Sequence, residues 1–130
     1  MKMKTAQDLM THPVITATES MRVMEVIDQL LRWHISGMPV VDGAGRLVGM
    51  ITEHDLLNFA FDGHAEEATV GEAMSRKIVS FPPETPMQDL VHTCVNQRIR
   101  RVPIVRDGKV VGIVSRRDVL REIQLMYGHD

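Results

Sequence analysis

Two heptapeptides carry residue types at a spacing that could do chemistry: Gly49-Met50-Ile51-Thr52-Glu53-His54-Asp55 and Gly112-Ile113-Val114-Ser115-Arg116-Arg117-Asp118. In each, an apolar run ends at a hydroxyl residue, and an aspartate follows three positions later. This reads as a strand running straight into a helix that starts at Thr52 or Ser115. The first N–H groups of a helix are unpaired and carry partial positive charge, so they attract anions such as phosphate. A carboxylate one turn further in can accept hydrogen bonds from a pair of vicinal hydroxyls, as on a ribose. The same Ser/Thr-x-x-Asp spacing is also a helix cap, contributing about 1 kcal/mol with no ligand involved. The residues alone leave both readings open.

The two copies differ in charge. Arg116 and Arg117 follow Ser115 and suit a polyphosphate, whereas Glu53 and His54 follow Thr52 and would repel one. Arg98, Arg100 and Arg101 crowd the approach to Val102-Pro103, where the first copy has His34, Ser36 and Gly37. Arg100 or Arg101 is therefore expected to face a cleft near the Ser115 helix start, the alternative being a solvated basic rim.

The elements that must position these residues also occur twice. The segment from Thr5 aligns with the segment from Thr69 at a shift of 64 that becomes 63 after one deletion in a turn. Met10 falls on Met74, Pro39 on Pro103, Gly49 on Gly112 and Asp55 on Asp118. That period is too long for a solenoid, and two copies are too few for an array. Each repeat opens with an amphipathic turn, Ala6–Met10 or Val70–Met74. A short strand is expected at Val14-Ile15-Thr16 and at Ile78-Val79-Ser80. A helix follows. In the first copy Met24, Ile27, Leu30 and Leu31 recur at helical spacing behind a Ser20 cap. In the second Met87, Leu90, Val91 and Cys94 form the buried stripe, with Thr85 as cap, Pro86 at the first position and Gln88 closing a capping box. Then come hairpins turning at Asp42-Gly43-Ala44-Gly45 and at Arg106-Asp107-Gly108-Lys109, their prolines confined to a strand start or edge. A final helix begins at Thr52 and at Ser115. Two such units are expected to pack face to face and share one core, with function in the clefts between them. Phe61–Thr69 reads as the linker.

Composition narrows the classes. At 130 residues the hydrophobic content of 44% and charged content of 25% are those of an ordinary globular protein, and the net charge of −2 argues against nucleic acid. No apolar run approaches the roughly 20 residues of a membrane span. The opening MKMKTAQDLM has no apolar segment of the kind a secretory signal needs. Cys94 is the single cysteine, which fits a reducing cytosol and a core position on its helix rather than a nucleophile. Ten methionines beside five aromatics suggest a flexible aliphatic core. The histidines show no metal-ligand spacing: His12, His64 and His129 read as loop or tail, and His34 as a cap or surface residue. Trp33 is assigned to packing. No nucleophile–base or carboxylate pair suggests an enzyme.

Taken together, Asp8-Leu9-Met10 and Glu72-Ala73-Met74, Met38-Pro39-Val40-Val41-Asp42 and Val102-Pro103-Ile104-Val105, and the two heptapeptides resemble a tandem pair of CBS domains, a Bateman module, over Thr5 to Ile123. The resemblance implies an α/β (α+β) fold of two β-α-β-β-α repeats packed about a pseudo-two-fold axis. The repeats would occupy residues 1–62 and 70–130, joined by 63–69. It also implies a regulatory sensor of AMP, ADP, ATP, S-adenosylmethionine or NAD, with no further cofactor. Asp55 and Asp118 would hold ribose hydroxyls, and Thr52 and Ser115 would lie near ribose or phosphate. Val14, Ile15 and Thr16, and Ile78, Val79 and Ser80, would hold adenine beside Pro39 and Pro103. Arg100, Arg101, Arg116 and Arg117 would reach phosphates in the second copy, whereas Ser36 and Gly37 replace the first two of these in the first. With no other domain expected, the regulated partner would be another protein. The rival reading is an association module with vestigial sites, dimerising through Leu120, Ile123, Leu125 and Met126. A nucleic-acid reading draws only on Arg98–Arg101.

Overall fold

A computed structural model describes residues 3–60 and 66–128. The described elements run α1 (Ala6–Leu9), α2 (Val23–Trp33), β1 (Gly37–Val41), β2 (Leu47–Thr52), α3 (Glu53–Ala60), α4 (Val70–Ala73), α5 (Met87–Asn96), β3 (Arg101–Arg106), β4 (Lys109–Ser115) and α6 (Arg116–Tyr127). They form two compact units that do not follow the repeats in sequence. One is Ile15–Ile78; the other joins the residues up to Val14 with those from Val79 onward. Each opening helix thus lies in the unit built on the other repeat's hairpin: α1 joins α5, β3, β4 and α6, and α4 joins α2, β1, β2 and α3.

The expected single shared core is replaced by two clusters, one per unit. Val23, Val26, Leu30, Met38, Val40, Ile51, Leu56 and Val70 make the first. Ala6, Leu9, Leu90, Cys94, Val102, Ile104, Val114 and Val119 make the second. The borrowed helix explains how so short a chain closes two cores, because it adds Val70 to one and Ala6 and Leu9 to the other.

In the first unit, α2 buries Val23, Val26 and Leu30, while Met24 is 49% and Leu31 72% exposed. The helix is apolar over a wide arc, so two stripes fit its 3.6-residue period and tertiary packing chooses the one a residue earlier. Ser20 does not cap it. The N-cap is Arg22, and the free Val23 N–H donates instead to the Ala68 carbonyl at 3.0 Å. Arg22 also bridges Thr69, so part of the expected linker is built into this unit; residues 61–65, and with them His64, lie outside the described residues, as does His129. Past α2, His34 ends the helix in the left-handed region at φ 53 and is exposed. Arg98 repeats that conformation at φ 53 after α5, which gives the first arginine of the basic cluster a structural task.

Helix α5 begins on Pro86 as N-cap, one residue later than its sequence suggests. The Thr85 hydroxyl donates to the Pro82 carbonyl at 2.8 Å rather than capping the helix. The expected stripe is otherwise present, with Leu90 and Cys94 buried and Met87 and Val91 packed against them. Both hairpins form as expected, β1 with β2 and β3 with β4, antiparallel. The tighter turn places Asp107 at φ 53 and Gly108 at φ 80, two positive values that the Asp-Gly pair accommodates.

The strands expected at Val14–Thr16 and Ile78–Ser80 do not form ladders. A single parallel bridge appears just after each, Ala17 to Val40 and Phe81 to Ile104. The prolines explain both. Ala17 N donates to the Pro39 carbonyl at 2.9 Å and Val41 N to the Ala17 carbonyl at 2.8 Å. The next bond upstream would need an N–H on Pro39, which has none. Pro103 stops the Phe81 ladder in the same way, after Phe81 N donates to its carbonyl at 3.2 Å. Neither proline disturbs its hairpin. Their antiparallel partners Met50 and Ile113 turn their own backbone groups outward, Met50 N to the Ser75 carbonyl at 2.9 Å and Ile113 N to the Thr11 carbonyl at 3.1 Å.

Candidate functional site

The second hairpin brings Arg101 opposite Ser115 at its open end. There β4 passes directly into α6, and the Arg116 N–H donates to the Arg100 carbonyl at 3.0 Å, fixing the basic run against the helix start. Ser115 is the N-cap, and its hydroxyl accepts from Asp118 N at 3.2 Å. Ser115 N and Oγ in turn donate to Asp118 Oδ2 at 2.8 and 3.0 Å. Asp118 is 9% exposed, and its other oxygen, Oδ1, accepts from Arg121 Nη1 at 3.2 Å.

The first hairpin repeats the arrangement. Gly37 pairs with Thr52, and Glu53 N donates to the Ser36 carbonyl at 2.9 Å. Thr52 N and Oγ1 donate to Asp55 Oδ2 at 3.0 and 2.9 Å, and Asp55 N donates to Thr52 Oγ1 at 3.3 Å. The cap thus uses Oδ2 of Asp55. Position 58, which matches Arg121, is an asparagine whose Nδ2 lies 3.2 Å from His54 Nε2 instead.

A capping box is no mark of a ligand by itself. Thr5 N and Oγ1 donate to Asp8 Oδ2 at 2.9 and 3.2 Å ahead of α1, and the Thr69 hydroxyl donates to Glu72 at 3.2 Å ahead of α4. Only the first is a full capping box, since Thr69 and Glu72 share the hydroxyl bond alone; the Thr-x-x-Asp spacing of Thr5–Asp8 is the sequence signal for it. What sets Thr52–Asp55 and Ser115–Asp118 apart is their setting, at the open end of a hairpin whose first strand carries on its other edge a parallel bridge cut short by proline.

The bridged segments supply the remaining candidates. Val79, Ser80, Pro103, Arg100, Arg101, Ser115, Arg116, Arg117 and Asp118 fall in one compact unit, and Ile15, Thr16, Pro39, Thr52 and Asp55 in the other. Val14 belongs to the former and Ile78 to the latter, so each expected triplet straddles a unit boundary. The truncated ladders leave the carbonyls of Ile15 and Val79 without a hydrogen bond among the described residues. They are backbone acceptors of the kind an exocyclic amine could use. Arg100, Arg116 and Arg117 are exposed and Arg101 is half-buried.

The glycine opening each heptapeptide also has a reason in the structure. A Cβ on Gly49 would stand 2.8 Å from the Ser75 carbonyl oxygen and 3.0 Å from Met74 Sδ. One on Gly112 would run into the Met10 side chain. The methionine ending each opening helix thus lies on the glycine of the other repeat's hairpin. Cys94 lies in the core of the second unit, and burial pushes its thiol above the ordinary 9.0, only partly offset by the positive charge of Arg116. Among the described residues there is no metal-ligating cluster, and no helix is long and apolar enough to cross a membrane.

The CBS domain family model matches residues 6–62 and 70–125. The chain therefore belongs to the CBS domain family and carries two copies in tandem. The CBS domain-containing protein YhcV of Bacillus subtilis is 31% identical over 118 residues, 90% of this chain and 84% of that protein. Other relatives are longer: the chain spans 41% of the uncharacterized protein MJ1225 of Methanocaldococcus jannaschii, at 28% identity over 115 residues covering 88% of this chain. Among solved structures, the CBS domain pair of protein MJ0100 superposes with a TM-score of 0.86 at 28% identity, covering 96% of this chain and 99% of that one. It was solved with 5′-methylthioadenosine and S-adenosyl-L-methionine. CBSX2 in complex with AMP gives 0.86 at 26% identity, covering 95% and 98%.

Proposed function

We propose that this chain is a non-catalytic regulatory module that binds an adenine nucleotide or adenosyl compound. The observation that carries the reading is the twice-built hairpin, closed at its open end by a hydroxyl N-cap and a carboxylate and bearing on its first strand a parallel bridge cut short by proline. That related pairs were solved with 5′-methylthioadenosine, S-adenosyl-L-methionine and AMP supports the same ligand class here. Asp118 and Asp55 accept the ribose hydroxyls, Ser115 and Thr52 flank them, and Val79 and Ile15 offer carbonyls to the adenine amine. Val14, Thr16, Ile78, Ser80, Pro39 and Pro103 complete the surroundings. Arg100, Arg101, Arg116 and Arg117 favour a phosphorylated ligand on the second repeat. Glu53 and His54 direct the first repeat toward a ligand of lower charge.

Binding regulates only if the ligand prefers one of two arrangements of the chain, whose population then reaches a protein partner. Calorimetric titration with AMP, ATP, NAD, S-adenosylmethionine and adenosine tests the reading. Saturable binding of at least one, weakened by Asp118→Asn or Asp55→Asn, supports it; none binding at millimolar concentration sinks it.

The second reading, an association module, is favoured by the surface of α6, where Leu120 is 63%, Leu125 67% and Tyr127 76% exposed. A homodimer formed through this helix is compatible with ligand binding. Light scattering of wild type and Leu120→Glu/Leu125→Glu distinguishes a dimer from a monomer.

A further inference from the structure

The two ribose-binding carboxylates of the proposed sites are not in the same state. Asp55 uses Oδ2 for its cap and has no partner on Oδ1 among the described residues. Asp118 uses Oδ2 in the same way, but its Oδ1 holds the guanidinium of Arg121 at 3.2 Å. The side chain of Asp118 is 9% exposed and that of Arg121 65%, so the carboxylate is fixed and the arginine is free to leave it. The difference traces to one position. Residue 58 is an asparagine turned to His54, and residue 121, its match one repeat later, is an arginine turned back to the aspartate.

We infer that Arg121 is a specificity-determining residue of the second-repeat site: it occupies the ribose-hydroxyl position on Asp118 and must be displaced by a ligand that can replace its hydrogen bond. The inference rests on the ligand-sensing reading above. A largely buried carboxylate oxygen that loses a donor must find another, and a sugar hydroxyl supplies one where a bare sugar edge does not. Only a ligand carrying the vicinal hydroxyls displaces Arg121, so Arg121 costs such ligands some affinity, leaves those lacking the hydroxyls unaffected, and narrows the site's discrimination between the two. An ion pair with one exposed partner contributes about 0.2–1 kcal/mol, equivalent to no more than about fivefold in a dissociation constant. The first-repeat site, with no such counter-ion, binds without this competition.

The test is calorimetric titration of adenosine and of 2′,3′-dideoxyadenosine into Asp55→Asn, which leaves the second site to be read alone, with and without Arg121→Ala or Arg121→Lys. Removing Arg121 should tighten adenosine about two- to fivefold and leave the dideoxy compound unchanged, with the lysine variant in between. Tightening of both ligands alike would assign the effect to general loosening of the helix and overturn the inference, as would weaker adenosine binding. Adenosine bound equally by all variants also overturns it while leaving the sensor reading intact. No binding by wild type or by any variant removes both.

Discussion

At the scale of single residues, Asp118 and Asp55 each close a cap with Oδ2, as Asp8 does ahead of α1 rather than at the end of a hairpin. That comparison separates structure from function. Asp8→Asn and Asp118→Asn should each cost about 0.5–1 kcal/mol, lowering the melting temperature by a few degrees. Adenosyl ligands should go on stabilising the Asp8 variant but lose their effect at the second site of the Asp118 variant. Differential scanning fluorimetry with and without ligand reads both effects. Cys94 makes a separate prediction. Its thiol is held above 9.0 by burial, so the folded state keeps a proton that the unfolded state releases as pH rises past that value. Stability should therefore be insensitive to this group below about pH 8 and should fall as pH climbs above 9, more in wild type than in Cys94→Ala, by urea unfolding at a series of pH values. The opposite trend would mean that the thiolate is the favoured form in the fold.

At the scale of elements, the hairpins, the final helices and the heptapeptides were legible because Asp-Gly turns, β-branched runs and Ser/Thr-x-x-Asp caps are local signals. The missed features are tertiary. Ser20 is not a cap because the Ala68 carbonyl takes the first helical N–H, which no local pattern announces. The strands expected at Val14–Thr16 and Ile78–Ser80 were stopped by prolines about two dozen residues away in sequence. The α2 stripe lies one residue from its expected place because two apolar stripes fit one helix and the partner selects between them. The destination of the opening helices was likewise hidden, although Met10, Met74, Gly49 and Gly112 all stood out in the repeat. Their contacts give a test. Gly49→Ala and Gly112→Ala should each destabilise by about 1–3 kcal/mol through overpacking. Met10→Ala should partly rescue Gly112→Ala by removing the sulfur and Cγ that the new methyl meets. Met74→Ala should rescue Gly49→Ala less, because the nearest atom there is the Ser75 backbone carbonyl. Denaturant midpoints of the four single and two double variants decide it; equal rescue would contradict the contact geometry.

At the scale of the whole molecule, each repeat contributes its opening helix to the unit built on the other's hairpin, so neither core is closed by one repeat alone. Cutting the chain within the residues joining the repeats, and expressing the halves separately, should give two poorly folded pieces that regain cooperative unfolding on mixing, measured by circular dichroism melts. Independent folding of either half would contradict this reciprocal closure. The central claim is that the duplicated carboxylate serves a ligand as well as a cap, and one measurement meets it directly. Thermal unfolding of wild type and of Asp55→Asn/Asp118→Asn should be followed against AMP, ADP, ATP, NAD, S-adenosylmethionine and adenosine. A ligand at about 100 times its dissociation constant adds roughly 2.7 kcal/mol, a rise of several degrees for a chain of this size. The account predicts that rise for at least one adenosyl compound in wild type and none in the double variant. Equal shifts in the two proteins, or no shift with any compound, would contradict it.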